Sequence, residues 1–277
     1  MPSTRSADRA VSGHQIGTAI EHRPRRRSRM QFLRTAVAHR RSGVTDTILG
    51  VVLAFVAGAI NAGGFLAIGQ YTSHMTGIVS SIADNLALGL FGIVGAGIVA
   101  LVAFTAGAGC SAVLINWGRR NARTRQYAYP IALEALLLLA FGVLGTASQE
   151  APQFMALAAP LLCFIMGLQN ATITKISGAR MRTTHLTGMV TDIGIELGKY
   201  LYWHRDKTKA EALRVTADRK KLSILLRVVG MFFLGGVVGA LGFGHLGYVF
   251  SIPLAAVLMV MAAPRLLNDA VGRAPGA

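Results

Sequence analysis

Charge is scarce in this chain: of 277 residues only 14% are Asp, Glu, Lys or Arg, while 53% are hydrophobic and the mean hydropathy is +0.50. A soluble domain carries roughly a quarter charged residues, so a single soluble domain is disfavoured. Cysteine is scarcer still. Cys110 and Cys163 both lie in apolar runs, which excludes a disulfide scaffold and a four-cysteine metal site. Acidic residues number 12 against 28 basic ones, for a formal charge of +16. Such an excess suits a nucleic-acid binder, yet no Lys or Arg occurs between Arg41 and Arg119. The basic charge is segregated rather than spread over a surface, and no nucleic-acid partner is expected. The chain also lacks a nucleophile constellation, a cofactor-binding loop and a metal-ligand spacing, so it reads as a non-enzyme with no cofactor and no metal.

What is present is arginine at one end and apolar sequence thereafter. From Arg5 to Arg41 the segment is arginine-rich, relieved only by Asp8 and Glu21 and almost without apolar periodicity. Residues 1–43 therefore read as a disordered basic tail. Six apolar stretches follow, near 46–68, 91–117, 128–149, 153–174, 221–244 and 246–264. At about 1.5 Å per residue each approaches or crosses a hydrocarbon core of roughly 30 Å. Pro253 is expected to kink the last of them. Two further segments, 74–89 and 185–203, are shorter and less apolar, and suit re-entrant or interfacial helices.

Topology follows from where the basic residues fall, because translocated loops disfavour Lys and Arg. With the tail inside and six crossings, the connections near 69–90, 150–152 and 245 lie outside, and none contains Lys or Arg. Arg119 to Arg125, Lys175 to Arg182, Lys199 to Arg227, and Arg265 with Arg273 all fall inside. Eight crossings would put Arg119 to Arg125 outside. The expectation is six spans in the bacterial cytoplasmic membrane with both termini cytoplasmic.

The chain also repeats itself. Phe55, Gly58, Asn61 and Ala62 in FVAGAINA align with Phe164, Gly167, Asn170 and Ala171 in FIMGLQNA. Downstream, His74, Thr76, Gly77 and Val79 in SHMTGIV match His185, Thr187, Gly188 and Val190 in THLTGMV. A looser third element sets Gly107 and Gly109 beside Gly236 and Gly239. A unit of three crossings that occurs twice must appear upside down the second time. The fold class is thus an all-α polytopic membrane protein of six helices in two inverted three-helix repeats, residues 44–150 and 151–266, each with one short helix, before a short cytoplasmic tail at 267–277. Inverted repeats recur in secondary transporters, whose sites lie near the midplane.

The repeated polar residues are the candidate solute-binding set: His74, Thr76, Gly77, His185, Thr187 and Gly188. If both short helices dip inward, their positive N-termini converge from opposite faces and favour an anion. Ser73 or Thr76 is expected to cap the first, and Thr184 or Thr187 the second. Asp84 and Asp192 are the carboxylates expected to line a cavity, since such groups in apolar surroundings are costly unless solvated or paired. Glu196 has the alternative of pairing with Lys199 or Tyr200 near the cytoplasmic surface. Asn61 and Asn170, with Gln169 beside the latter, either hydrogen-bond a neighbouring helix or open the helix around a ligand. Glu134 lies inside the third span, with no acidic counterpart in the sixth. It is the candidate for a coupling proton or sodium ion, the alternative being a bridge to Arg123 or Arg125.

The motifs GFLAIGQYTSHMTG and GLQNATITKISGARMRTTHLTG resemble those of the YoaK-like family, bacterial inner-membrane proteins of unknown function. The resemblance spans roughly residues 47–265 and implies a multi-spanning membrane protein. It implies no substrate, cofactor or catalytic residue. The functional expectation is a secondary transporter of a small polar or anionic solute. The rival is a non-transporting scaffold or sensor whose basic tail and the segment from His204 to Lys221 bind a partner or anionic lipid. The expected partners are the lipid bilayer and a small solute, with a homo-oligomer left open.

Overall fold

The computed structural model describes residues 43–121, 126–148, 151–177, 183–205 and 216–271. The basic tail expected at 1–43, Arg123, Arg125 and most of the segment from His204 to Lys221 lie outside the described residues. The elements in chain order are α1 Gly43–Ile68, α2 Met75–Ala87, α3 Phe91–Asn121, α4 Ala128–Ser148, α5 Pro152–Ile176, α6 Leu186–Arg205, α7 Arg219–Leu246, a 3-10 turn Gly247–Phe250, and α8 Ser251–Val271. No strand occurs among the described residues. The short helices α2 and α6 fall where the two less apolar segments stood in the sequence.

The long helices are apolar all round, as expected of helices that face neighbours on one side and lipid on the other. Five stretches are long and apolar enough to cross a membrane: Thr47–Ala67, Phe91–Asn121, Ala128–Ser148, Ala156–Ile176 and the 45-residue run Arg219–Ala263. The segments expected as fifth and sixth spans make up that last run. At 1.5 Å per residue it would extend about 68 Å, over twice a hydrocarbon core of roughly 30 Å. It breaks at Gly247, whose φ of +59° a residue with a Cβ rarely adopts. The turn that follows docks on α4: Ser251 Oγ donates to the Leu138 carbonyl at 3.0 Å, and Tyr248 packs edge-on against Phe141 and Phe154 at 5.4 and 5.2 Å.

Large side chains on the outer faces are exposed, among them Val102, Leu201, Phe233 and Val260, at 61% to 71%. A water-soluble protein does not tolerate so continuous an apolar surface, whereas lipid covers it. The core between helices is built from Leu53, Ala57 and Ile60 of α1, Leu138 of α4, Leu162 and Met166 of α5, Val228 of α7 and Leu258 of α8. The most extensive pairings are α1 with α7, α3 with α5, and α4 with α8, while α2 lies on α3 and α6 on α7.

Two of these pairings are built alike. In α1 and α7 the sequences are Phe55-x-x-Gly58 and Phe232-x-x-Gly235, and in α3 and α5 they are Phe104-x-x-Gly107 and Phe164-x-x-Gly167. A Cβ on Gly58 would collide with the Phe232 carbonyl, and one on Gly235 with the Phe55 carbonyl. Likewise Gly107 abuts the Phe164 carbonyl, and Gly167 the Phe104 carbonyl. Each glycine admits the partner's backbone, and each partner returns the favour. The looser third element of the repeat is therefore out of register in the sequence reading: the packing counterpart of Gly107 is Gly235 rather than Gly236, and Gly109 faces open space whereas Gly239 abuts Ala59.

Alanine at Gly58, Gly107, Gly167 or Gly235 must push two backbones apart and is expected to destabilise by about 1–3 kcal/mol. Alanine at Gly95 or Gly109, where no atom lies within 4 Å of the new methyl, should instead leave stability unchanged or raise it by up to about 1 kcal/mol through helix propensity. Melting temperatures of the detergent-purified variants separate the two sets.

Candidate functional site

The short helices begin with the same local construction. His74 precedes α2, with φ −90° and ψ 65°, and its carbonyl accepts from Ile78 N–H at 3.0 Å. The His185 carbonyl accepts from Met189 N–H at 3.1 Å. In each case the imidazole folds back over the glycine three residues on, Gly77 or Gly188, where a Cβ would strike the ring. This explains the spacing in SHMTG and THLTG: glycine one turn after histidine leaves the ring a seat on the helix end.

The loops leading to these starts are tied to the long helices by the repeated asparagines. Asn61 Oδ1 accepts from both the backbone N–H and the hydroxyl of Ser73, at 3.1 and 3.0 Å. Asn170 Nδ2 donates to Thr184 Oγ1, and its Oδ1 accepts from Thr183 Oγ1 at 3.3 Å. The expected capping by Ser73 is thereby corrected: its hydroxyl is held by Asn61, and α2 starts at His74 with no side-chain cap. Thr184 is likewise engaged by Asn170. The tethers also fix depth along the helices. Asn61 lies two turns before the end of α1, and Asn170 nearly two turns before the end of α5, so the chain doubles back by about 10 Å before each short helix begins.

Both starts open on one cavity of about 540 Å³. Its walls are Ser73 to Thr76 from the first, Thr184 to Thr187 from the second, Phe104 and Ala108 of α3, and Gly167, Asn170, Ala171, Thr174 and Lys175 of α5. Thus His74, Thr76, Asn170, His185 and Thr187 come together there, and no carboxylate is among the described walls. A second cavity of about 370 Å³, lined by Gln70, Tyr71, Gly77, Ser81 and Gly97, shares the His74 side chain with the first. Of the other sequence candidates, Asn61 supports the loop without lining the large cavity, and Gly77 and Gly188 lie beneath the imidazole rings.

The carboxylates expected along the short helices sit elsewhere. Asp84 is exposed near the far end of α2, and Asp192 pairs with Lys221 at 3.2 Å where both are half-exposed. Neither lines the cavity, because the helix carries positions 84 and 192 away from its own N-terminus. Glu196 is buried against the start of α7: Lys199 Nζ lies at 2.9 Å and the Asp218 N–H donates at 2.8 Å. The Lys199 hydrogen bond first, and then that backbone donor, hold its carboxyl below the usual carboxylate range. Asp218 in turn caps α7, accepting from the N–H groups of Lys220 and Lys221 at 3.0 Å.

Glu134 of α4 is fully buried. Gln169 Nε2 donates to Glu134 Oε1 at 2.8 Å and shares its hydrogens with the Leu53 carbonyl at 3.2 Å. Sequence reading noted Gln169 without pairing it with Glu134. It also passed over Lys175 as a wall residue, although Lys175 follows Asn170 by five positions on the same helix. Ser111 and Thr172, whose hydroxyls meet at 2.8 Å between α3 and α5, were missed altogether. Small hydroxyls in apolar helices leave little signal in sequence.

A family model described as "Protein of unknown function (DUF1275)" matches residues 49–263. The chain is 24% identical over 233 residues to the UPF0700 transmembrane protein YoaK of Bacillus subtilis (strain 168), covering 84% of this chain and 97% of that protein. No solved structure matches it.

The ordinary glutamate value is about 4.3, and the lowered value of Glu196 lies beneath it in the folded state. Its stabilising contribution is therefore complete above the ordinary value and lost as pH falls through the lowered one. Glu196→Gln should reduce the melting temperature at pH 7 and flatten its decline as pH falls below the ordinary glutamate value. Parallel acid and neutral melts check this.

Proposed function

The chain belongs to the DUF1275 family, and on that premise we propose that it is a secondary transporter of a small anionic or polar solute. The observation that carries this is the convergence of two helix starts, His74 to Thr76 and His185 to Thr187, on a single cavity. At about 540 Å³ it is of the size that holds a small molecule. Two positive helix ends and Lys175 face it without a carboxylate, which favours negative charge on the solute. In this reading the imidazoles and the Thr76 and Thr187 hydroxyls contact the solute. Asn61 and Asn170 hold the two starts in place. Asp84 and Asp192 have no contact with it.

The reading includes six crossings of the cytoplasmic membrane, with both termini inside. Splitting the 45-residue run at Gly247 supports six, and the segregation of basic residues supports the orientation. It includes an inverted repeat, supported by the reciprocal crossings Gly58 with Gly235 and Gly107 with Gly167, and by the matched asparagine tethers. With an odd number of crossings per unit, α2 then enters from outside and α6 from inside. Each doubles back about 10 Å into the layer, so the cavity lies between two partial barriers, as alternating access requires. Nothing in this scheme breaks a covalent bond, so the chain acts as a carrier rather than an enzyme.

The test is a thermal-shift screen of purified protein against small carboxylates and phosphates, followed by counterflow in proteoliposomes. A true ligand raises the melting temperature by mass action. The shift should persist in Asp84→Asn and vanish in Thr76→Ala and His185→Ala, with uptake of the labelled ligand only into wild-type liposomes. A shift that survives both cavity substitutions, or a bound ligand that never crosses, contradicts the reading.

A further inference from the structure

One buried group is left unexplained by packing or by the cavity. Glu134 is 0% exposed, and its Oε2 has no hydrogen-bond partner. Gln169, also 0% exposed, has an unpartnered Oε1. The two side chains are already joined through Gln169 Nε2 and Glu134 Oε1 at 2.8 Å. What remains is one lone acceptor on each side of the same pair, and a single hydrogen placed between them would satisfy both. A carboxylic acid and a primary amide have this complementarity: the amide donates to one carboxyl oxygen while the acid hydroxyl donates to the amide oxygen. A bare carboxylate with one neutral donor, by contrast, leaves a charge uncompensated in a low-dielectric layer, at a cost of several kcal/mol.

Among the described residues no ion pair joins a cation to Glu134 to offset that cost. α4 is packed by α5, α8, the turn at 247–250 and α3. Among the described side chains these carry Cys163 and Lys175 on α5, Tyr248 on the turn, and Cys110, Arg119 and Arg120 on α3; Arg265 and Asp269, in the last turns of α8, lie outside the described side chains. On α4 itself the only other ionisable residue is Tyr129. The described hydrogen bonds and ion pairs join none of these to Glu134, whose partner is Gln169. Nor is the pair part of what the two halves of the chain share. α4 and α8 both carry proline at their third position, Pro130 and Pro253, which sets Val257 opposite Glu134. Gln169, the residue before Asn170, corresponds to Ile60, the residue before Asn61. A symmetrical scaffold thus carries one unsymmetrical polar pair.

We propose that Glu134 is a proton-binding site: in this conformation its Oε2 carries a hydrogen donated to Gln169 Oε1, and in the change of state, which admits water to the pair, that proton passes to a water molecule and leaves the carboxylate. Gln169 is a positioning residue. It sits beside Asn170 on α5, and while Gln169 holds Glu134, Asn170 holds the start of α6 at the cavity wall. Loss of the proton leaves a carboxylate facing the amide oxygen, and repulsion between the two acceptors turns α5 at the point where the cavity is built. The coupling to solute rests on the transport reading above; the proton on Glu134 does not.

Infrared spectroscopy of the full chain in lipid at pH 7 tests the assignment, since a protonated carboxyl absorbs apart from the exposed carboxylates, which are ionised there. Wild type should show the protonated-carboxyl band, Glu134→Gln should lose it, and Gln169→Leu should shift it. If Glu134→Gln fails to fold, as judged by its melting curve, Glu134→Asp must move the band instead. A wild-type spectrum without the band, or a band unchanged by substitution at 134, overturns the proposal. In proteoliposomes, solute counterflow with no band removes the proton site and keeps transport, whereas the band without flux removes the coupling and keeps the site.

Discussion

Two helices in lipid gain little from burying apolar side chains against each other, because the lipid tails are equally apolar. They must gain instead from close contact between backbones. Here that contact is made by glycines set three residues after a phenylalanine, where each helix of a pair admits the other's carbonyl. The α1–α7 and α3–α5 crossings each join a helix of the first half of the chain to one of the second, as the α4–α8 pairing also does, but only these two crossings are built on reciprocal glycines among the described residues. Everything else in the molecule is positioned from these two points. A side chain as small as alanine's at either crossing would separate the asparagines, the short helices and the cavity they enclose.

From the crossings outward the construction is sequential. Asn61 lies one turn beyond Gly58 on α1, and Asn170 one turn beyond Gly167 on α5, so the tethers sit next to the closest backbone contacts. Each tether holds a loop that has turned back along its own helix, and each loop ends in a histidine whose ring rests on a glycine. Irregular backbone of this kind is tolerated in a membrane protein where it is buried in protein or lines a cavity. The Glu134–Gln169 pair is the exception to this twofold plan. It stands beside the scaffold and is not required by it.

Much of this was legible in the sequence because the two copies can be laid over one another. The repeated Asn and His residues are uncommon in apolar sequence, and they marked the two short helices to within a residue or so of their observed starts, although the asparagines hold the following loops rather than a neighbouring helix or a ligand. Other features were not legible, for physical reasons. Asp84 and Asp192 share helices with the cavity residues, but a helix of 13 or 20 residues carries its later turns well away from its start. Ser73 and Thr184 look like caps in isolation, and only their bonds to an asparagine on the preceding helix reveal that the hydroxyls are taken. The register of Gly107 against Gly235 depends on which face meets the neighbour, and a run of glycines in one dimension does not record it.

The transport reading depends on the convergence of the α2 and α6 starts on one cavity. It is tested most directly by placing His74→Cys and His185→Cys in a chain whose native Cys110 and Cys163 are replaced by alanine, then treating membranes with a short bifunctional thiol reagent. The two positions should be bridged within a single chain, and each single cysteine should react without forming a bridge. Two cysteines that both react but are never joined would place the helix starts apart and contradict the shared site.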